Sequence, residues 1–364
     1  MLKYNLSKYL KWFHCYFSSI PFYTIFYVTA QCNARCVHCF NWELIEGYAD
    51  RNELSIDEIE LIAKNWGRML IVNLAGGEPY LRDDLPEIVR VFKKYTDVDI
   101  VAIPSNGFLT DRVLGIVNKL LERFPDIYFR LAFSVDGIGE QHDKIRSVTG
   151  GFEKVVRTIK EVKALKKKYR NFSLFTNSTF MELNQDDLMG TLKYIKSELD
   201  VDAMSMTCIR GDVKQGEVQE GLYNEKYKEV AMYLAKLNRT KFKNHPMANF
   251  IWGATSYARE KVFDNLKYGR RNFECYAIRK MIVVDDVGEV YICEMRPTSL
   301  GNLRDYNYDI KKIVRSKMAN DEYKKIKDHQ CNCTWECAIR TGIIFNPKEY
   351  LSLLRCMYSS SIID

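Results

Sequence analysis

From Phe22 to about Arg210 the chain alternates short apolar runs with amphipathic stretches. The apolar runs have strand length and cover Thr24–Thr29, Met69–Leu74, Asp99–Pro104, Tyr128–Ser134, Ser173–Thr179 and Ala203–Ile209. Between them apolar residues recur at helical spacing. Ser55-Ile-Asp-Glu58 is a capping box feeding Ile56, Ile59 and Ile62, and further helices open near Asp84, Thr110, Phe152 and Asn184. Six β/α units in series predict a parallel sheet with covering helices, an α/β fold of the partial (β/α)6, TIM-like barrel kind. Active sites of such barrels lie at the C-terminal ends of the strands, which directs attention to the loops after each run.

The last third reads differently. Val283–Ile292 is expected to form a β-hairpin with Asp-Asp-Val-Gly at its turn. The pattern divides the chain into an amphipathic segment (1–21), a barrel (22–245) and a small hairpin and helical domain (246–364). In the first of these, Leu6, Tyr9, Leu10, Phe13 and Phe17 share a helical face. Such a helix either closes the bottom of the barrel or lies on an anionic membrane.

Composition fits a large globular protein: 47% hydrophobic and 28% charged residues over 364 positions. The chain lacks a run long and apolar enough for a transmembrane helix, and has no secretory pattern at its start. Eleven cysteines without a secretion signal favour a reducing cytoplasm and metal or redox use over disulfides. The net charge of +7 is concentrated at Lys160–Arg170, which reads as a solvated helix face. No aromatic-studded basic motif accompanies it, so nucleic acid is not an expected partner.

The chemistry sits in those loops. After the first run come Cys32, Cys36 and Cys39, a C-x3-C-x2-C spacing. Three thiolates on one short loop match three corners of an iron–sulfur cube and leave one iron open. Structural zinc is the alternative, but it wants four ligands, and His38 lies between two of the cysteines. After the second run comes Gly76-Gly77-Glu78-Pro79, whose glycines permit close backbone approach and whose carboxylate suits an ammonium group. Ser105-Asn106-Gly107 follows the third run and Ser134-Val-Asp136-Gly137 the fourth; both also read as ordinary strand-ending turns. His142-Asp-Lys-Ile-Arg146 comes next, and Asn177 and Arg210 end the fifth and sixth runs.

The cysteine run resembles the signature of the radical S-adenosylmethionine (radical SAM) superfamily. That resemblance implies a [4Fe–4S] cluster on Cys32, Cys36 and Cys39 whose open iron chelates SAM. It implies reductive cleavage of SAM and a 5′-deoxyadenosyl radical that abstracts a substrate hydrogen. His38 is then the residue packing on adenine, and the Gly76–Pro79 loop meets the methionine amino group. Ser105 and Asn106 resemble the family's TNG turn, and Ser134 and Asp136 are candidates for the ribose. His142–Arg146 resembles the family's HDxxR segment, with Arg146 as partner of the SAM carboxylate.

A second cysteine set lies near the C-terminus. Cys275, twelve residues, Gly288, four residues and Cys293 match the opening of SPASM/Twitch domains, which hold auxiliary [4Fe–4S] clusters. The closing Cys331-Asn-Cys333-Thr-Trp-Glu-Cys337 is shorter than the full SPASM pattern. One auxiliary cluster is therefore expected, with Cys275, Cys293 and Cys337 as the firmest ligands and Cys333 or Cys331 as the fourth. Zinc on the same sulfurs is the alternative. Cys15, Cys208 and Cys356 are expected to be buried free thiols. Glu294, beside Cys293, is a candidate base; some relatives that oxidise a substrate place an acid there.

Substrate class stays open among a peptide or protein side chain, a small molecule such as a sugar, and a lipid reached through the N-terminal segment at a membrane surface. A reductant such as flavodoxin or ferredoxin is implied. A non-enzymatic iron–sulfur carrier or scaffold is the rival reading, opposed by the SAM-contact motifs.

Overall fold

A computed structural model of the chain describes residues 6–219, 222, 224–242, 248–328, 331 and 333–358. Strands β1 (Tyr23–Thr29), β2 (Ile71–Gly76), β3 (Ile100–Ser105), β4 (Tyr128–Ser134), β5 (Phe172–Phe180) and β6 (Ala203–Cys208) pair in parallel, each with the next. All six fall on the apolar runs. Helices Ile56–Trp66, Leu85–Thr96, Thr110–Arg123, Gly151–Ala164 and Leu188–Tyr194 cover them. The capping box forms: Glu58 N donates to Ser55 Oγ at 3.3 Å and Ser55 N to Glu58 Oε2 at 2.9 Å.

Burial alternates along the strands. On β4, Phe129, Leu131 and Phe133 are sealed against the helices, while Tyr128, Arg130, Ala132 and Ser134 on the inner face are half-exposed. The same alternation holds along β3, where Val101 and Ile103 are sealed. A filled barrel seals both faces. Here Ala75, Ala102 and Ala132 occupy inward positions, and the lumen stays open to solvent.

The expected hairpin is present as β7 (Met281–Val284) and β8 (Glu289–Cys293), followed by β9 (Arg296–Asn302). Its turn needs Gly288, whose φ is +87°. It does not form a sheet of its own: β7 pairs in parallel with β1, giving one nine-stranded sheet in the order β6-β5-β4-β3-β2-β1-β7-β8-β9. Arg51 clamps the turn to the barrel through Asp286 at 2.7 Å and Asp285 at 2.9 Å.

Helix Leu6–Phe17 closes the N-terminal end of the barrel. Lys11 is buried between Asp97 at 3.3 Å and Asp99 at 3.2 Å, and Cys15 packs with Phe22, Leu70 and Phe345. Leu10, Phe13 and Phe17 face outward, whereas the side chains of Leu6 and Tyr9 lie outside the described residues. Among the described residues no helix is long and apolar enough to cross a membrane.

Candidate active site

The loop after β1 carries Cys32, Cys36 and Cys39, all unbridged. Its entry is set by β2. Gly77 N donates to Thr29 O and Glu78 N to Gln31 O, each at 2.8 Å. A Cβ on Gly76 would meet Thr29 O, and one on Gly77 would meet Gln31 O, each at 2.2 Å. The paired glycines thus admit the cysteine loop's own backbone, a nearer neighbour than the ligand the sequence suggested.

The three sulfurs lie close enough to feel one another. Burial pushes the Cys32 thiol up to about 12 and Cys39 to about 11, with Cys36 adding to both. Cys36 is also raised by burial, against the opposing pull of Arg146, whose Nη1 donates to its sulfur at 3.7 Å. Peptide N–H groups of Ala34 and Asn41 point at Cys32 and Cys39. Such burial disfavours a bare thiolate. A metal removes the proton and N–H donors then stabilise the anion, so the donor set fits a cluster with three protein ligands.

Glu78 is wholly buried and joins two motifs. Its Oε1 accepts from Ser105 Oγ at 2.9 Å and Tyr80 N at 3.2 Å, and its Oε2 from Asn106 N at 2.8 Å. Burial raises its carboxyl to about 7 despite these donors. Asn106 also reaches Asn33 Oδ1 in the cysteine loop at 2.7 Å, and Pro79 opens a single turn of helix.

Asp136 and Arg146 pair with each other. Arg146 donates to Asp136 Oδ2 through Nε at 2.6 Å and Nη2 at 2.5 Å, while Thr179 N donates to Oδ1 at 2.7 Å. Arg146 holds Asp136 below the usual carboxylate range against the effect of burial. Two buried opposite charges satisfy each other. Asp136 and Arg146 thus form an internal brace, which also reaches Cys36. Ser134, half-exposed on the lumen face, remains free for a ligand. The rest of the HDxxR segment is structural as well: His142 Nδ1 accepts from Asp136 N at 3.2 Å, and Asp143 accepts from Gly150 N and Phe152 N to start the next helix.

His38 and His142 are held down at about 4, first by burial and then by Arg146. Their folded values lie below the ordinary histidine value, so the unfolded chain binds more protons between about pH 6.5 and 4. This stability is full above about pH 6.5 and is lost as pH falls toward 4, by up to about 1.4 kcal/mol per pH unit for each ring. Glu78 acts oppositely, since its raised carboxyl makes stability decline as pH rises toward 7. Asp285, raised to about 6, and Glu336, also raised by burial, act with Glu78. The rings are therefore read by difference. His142→Asn is expected to remove a loss of melting temperature between pH 6.5 and 5 that the parent shows in iron-free, reduced form. A constant offset between variant and parent across that range would contradict it.

At the other end of the chain, burial raises Cys293 to about 12 and Cys333 well above its ordinary value. Cys275 and Cys331 add to both, and Cys293 adds to Cys333, so these four sulfurs lie within electrostatic reach of one another, although among the described residues no three of them stand at metal-holding distance. Peptide N–H groups of Ala277, Met295, Arg296 and Trp335 point at them. This donor set also suits a cluster. Cys337 stands apart: its sulfur accepts from Tyr23 Oη at 3.4 Å and Arg340 Nη2 at 3.9 Å. The contacts set Cys337 beside Tyr23 and Arg340, and Cys331 and Cys333 beside Cys275 and Cys293. Cys15, Cys208 and Cys356 are buried and unbridged, as expected.

Glu294 faces the lumen. It accepts from Arg210 Nη2 at 2.8 Å and from Tyr27 Oη at 3.4 Å, and Arg210 lies 5.4 Å from the ring centre of Phe40, beside Cys39. The Arg210–Glu294 pair thus runs from the residue after Cys293 to the residue after Cys39. The sequence offered each residue singly, and only the fold brings them together. Asn177 pairs with Ser205 at 2.9 Å on the same lumen face.

The sequence profile of the radical SAM superfamily matches residues 26–195. Pre-heme d1 synthase of Dinoroseobacter shibae is 28% identical over 200 residues, 53% of this chain and 46% of that protein. The chain thus spans about half the length of that relative. AdoMet-dependent heme synthase of Methanosarcina barkeri is 29% identical over 76% of this chain and 78% of its own. Among solved structures, native anSMEcpe with bound AdoMet and Kp18Cys peptide superposes with a TM-score of 0.59 at 17% identity, over 93% of this chain and 97% of its own. At that identity it speaks for a shared fold.

Proposed function

This chain belongs to the radical SAM superfamily through residues 26–195, and we propose that it works as an enzyme on a peptide or small-molecule substrate held in the open lumen. The family uses a [4Fe–4S] cluster and SAM. Cys32, Cys36 and Cys39 are the proposed ligands, with His38 packing on adenine. When bound, that pair supplies a one-electron cleavage of SAM and a carbon radical that takes hydrogen from the substrate.

The chain's own residues set the stage for it. Gly76, Gly77, Glu78, Ser105 and Asn106 fix the loop, Arg146 braces Asp136 and Cys36, and Ser134 presents a hydroxyl to the lumen. Cys275, Cys293, Cys331 and Cys333 are the proposed ligands of one auxiliary cluster in residues 246–364. Glu294 is the proposed base, positioned by hydrogen bonds from Arg210 and Tyr27. The observation that carries this reading is the Arg210–Glu294 pair bridging the two sulfur groups across the lumen mouth. The lipid reading has less support, since Lys11 and Cys15 anchor the N-terminal helix to the barrel.

Anaerobically reconstituted protein given dithionite and SAM is expected to release 5′-deoxyadenosine. Fully iron-loaded protein that releases none would favour the carrier reading instead.

A further inference from the structure

The closed end of the lumen carries more positive charge than its own residues balance. Arg130 projects from β4 on the lumen face, half-exposed, with its guanidinium 5.1 Å from the ring centre of Phe175. Arg340 comes from helix Glu336–Phe345, whose Cys337 lies against Tyr23 and whose Phe345 packs with Phe22 at the barrel bottom. Tyr23 stands level with Tyr128 through Ile71 and Ile100, two residues below Arg130 on the same face, and the contacts of Cys337 with Tyr23 and Arg340 bring Arg340 to that end of the lumen. Burial, and then Arg340, lower the proton affinity of Arg130. Among the described residues neither makes an ion pair with a carboxylate.

The wider set is also unbalanced. Arg130, Arg210, Arg259 and Arg340 share this interior with two carboxylates, Glu294 and Glu336. Even an ionised Cys337 would leave one cation in excess. Arg130, Arg210 and Arg340 are half-exposed, so water screens part of this excess and an entering anion can reach it. Asn73, level with Arg130 across Ala102, has a buried side-chain oxygen without a partner, so the neighbouring polar surface is likewise unfinished.

We propose that Arg130 and Arg340, with the Tyr23 hydroxyl, form a site at the closed end of the lumen that holds an anionic group of the substrate, a carboxylate or a phosphate. The planar fork of arginine suits either oxyanion. Arg130 lies four residues below Ser134 on one strand, which places the anion roughly 13 Å beneath the mouth at about 3.3 Å per residue. The site therefore takes an elongated substrate, anchored by its charged end while its other end faces the Cys32–Cys39 loop. This rests on the lumen being the substrate site.

The test uses full-length reconstituted protein without SAM. Calorimetry at fixed ionic strength with pyrophosphate and with succinate is expected to give saturable binding of at least one, and the tighter probe identifies phosphate or carboxylate as the cognate group. Arg130→Gln and Arg340→Gln are each expected to weaken binding at least tenfold, while Arg157→Gln on the exposed surface leaves it unchanged. A second reading needs no variant: the bound probe is expected to slow alkylation of Cys337 in the parent protein. Absence of saturable binding and of protection, or parent-like binding in both variants, overturns the site. Release of 5′-deoxyadenosine is measured on separate portions of the same preparations given dithionite and SAM, so failure of the anion site is distinguished from failure of the enzymatic reading.

Discussion

Replacing Cys32, Cys36 and Cys39 together by alanine is expected to reduce bound iron from about eight atoms to about four and to abolish release of 5′-deoxyadenosine, at four irons per cube. The argument is local. All three sulfurs stand on one loop whose path is set by Gly76 and Gly77, and peptide N–H groups of Ala34 and Asn41 point at two of them. The second sulfur group lies on other elements and keeps its own ligands. Iron and sulfide analysis with Mössbauer spectroscopy reads the first quantity and chromatography of the nucleoside the second. Cys208→Ala, which removes a buried thiol from β6, is the control and should retain both. A triple variant that still released 5′-deoxyadenosine would remove the site from this loop.

The barrel was legible because its signals are local. Each apolar run needed only its own residues to read as a strand, and Ser55 with Glu58 marked a helix start that forms as drawn. The cysteine loop was legible for the same reason. Pairing partners were not: nothing near Met281 says that it will lie beside Tyr23, so the continuous nine-stranded sheet emerged only in three dimensions. Side-chain roles were legible where a residue type has one plausible use and illegible where two charges can satisfy each other. Arg146 and Asp136 each match a ligand-facing motif, and their separation in sequence conceals that they also pair with each other. Glu294 gained its position the same way, through Arg210 on a distant strand.

Cys293→Ala and Cys337→Ala are expected to part company, the first losing about four of about eight irons and the second keeping nearly all. Spacing alone ranks both as ligands. The proposed cluster separates them, since Cys293 shares its surroundings with Cys275, Cys331 and Cys333, whereas Cys337 lies against Tyr23 and Arg340. Four sulfurs with four peptide N–H donors satisfy one cube, and a fifth has no iron left to bind. Cys331→Ala and Cys333→Ala should each resemble Cys293→Ala, although a water or a neighbouring side chain replacing one ligand would soften the loss. Loss of four irons from Cys337→Ala, with Cys331→Ala unaffected, would restore Cys337 as a ligand and take it out of the lumen floor. About twelve irons in the parent would instead require a second auxiliary cluster, for which the described cysteines outside the two groups, Cys15, Cys208, Cys337 and Cys356, offer no common site: Cys15 packs with Phe22 at the barrel bottom and Cys356 contacts Glu260.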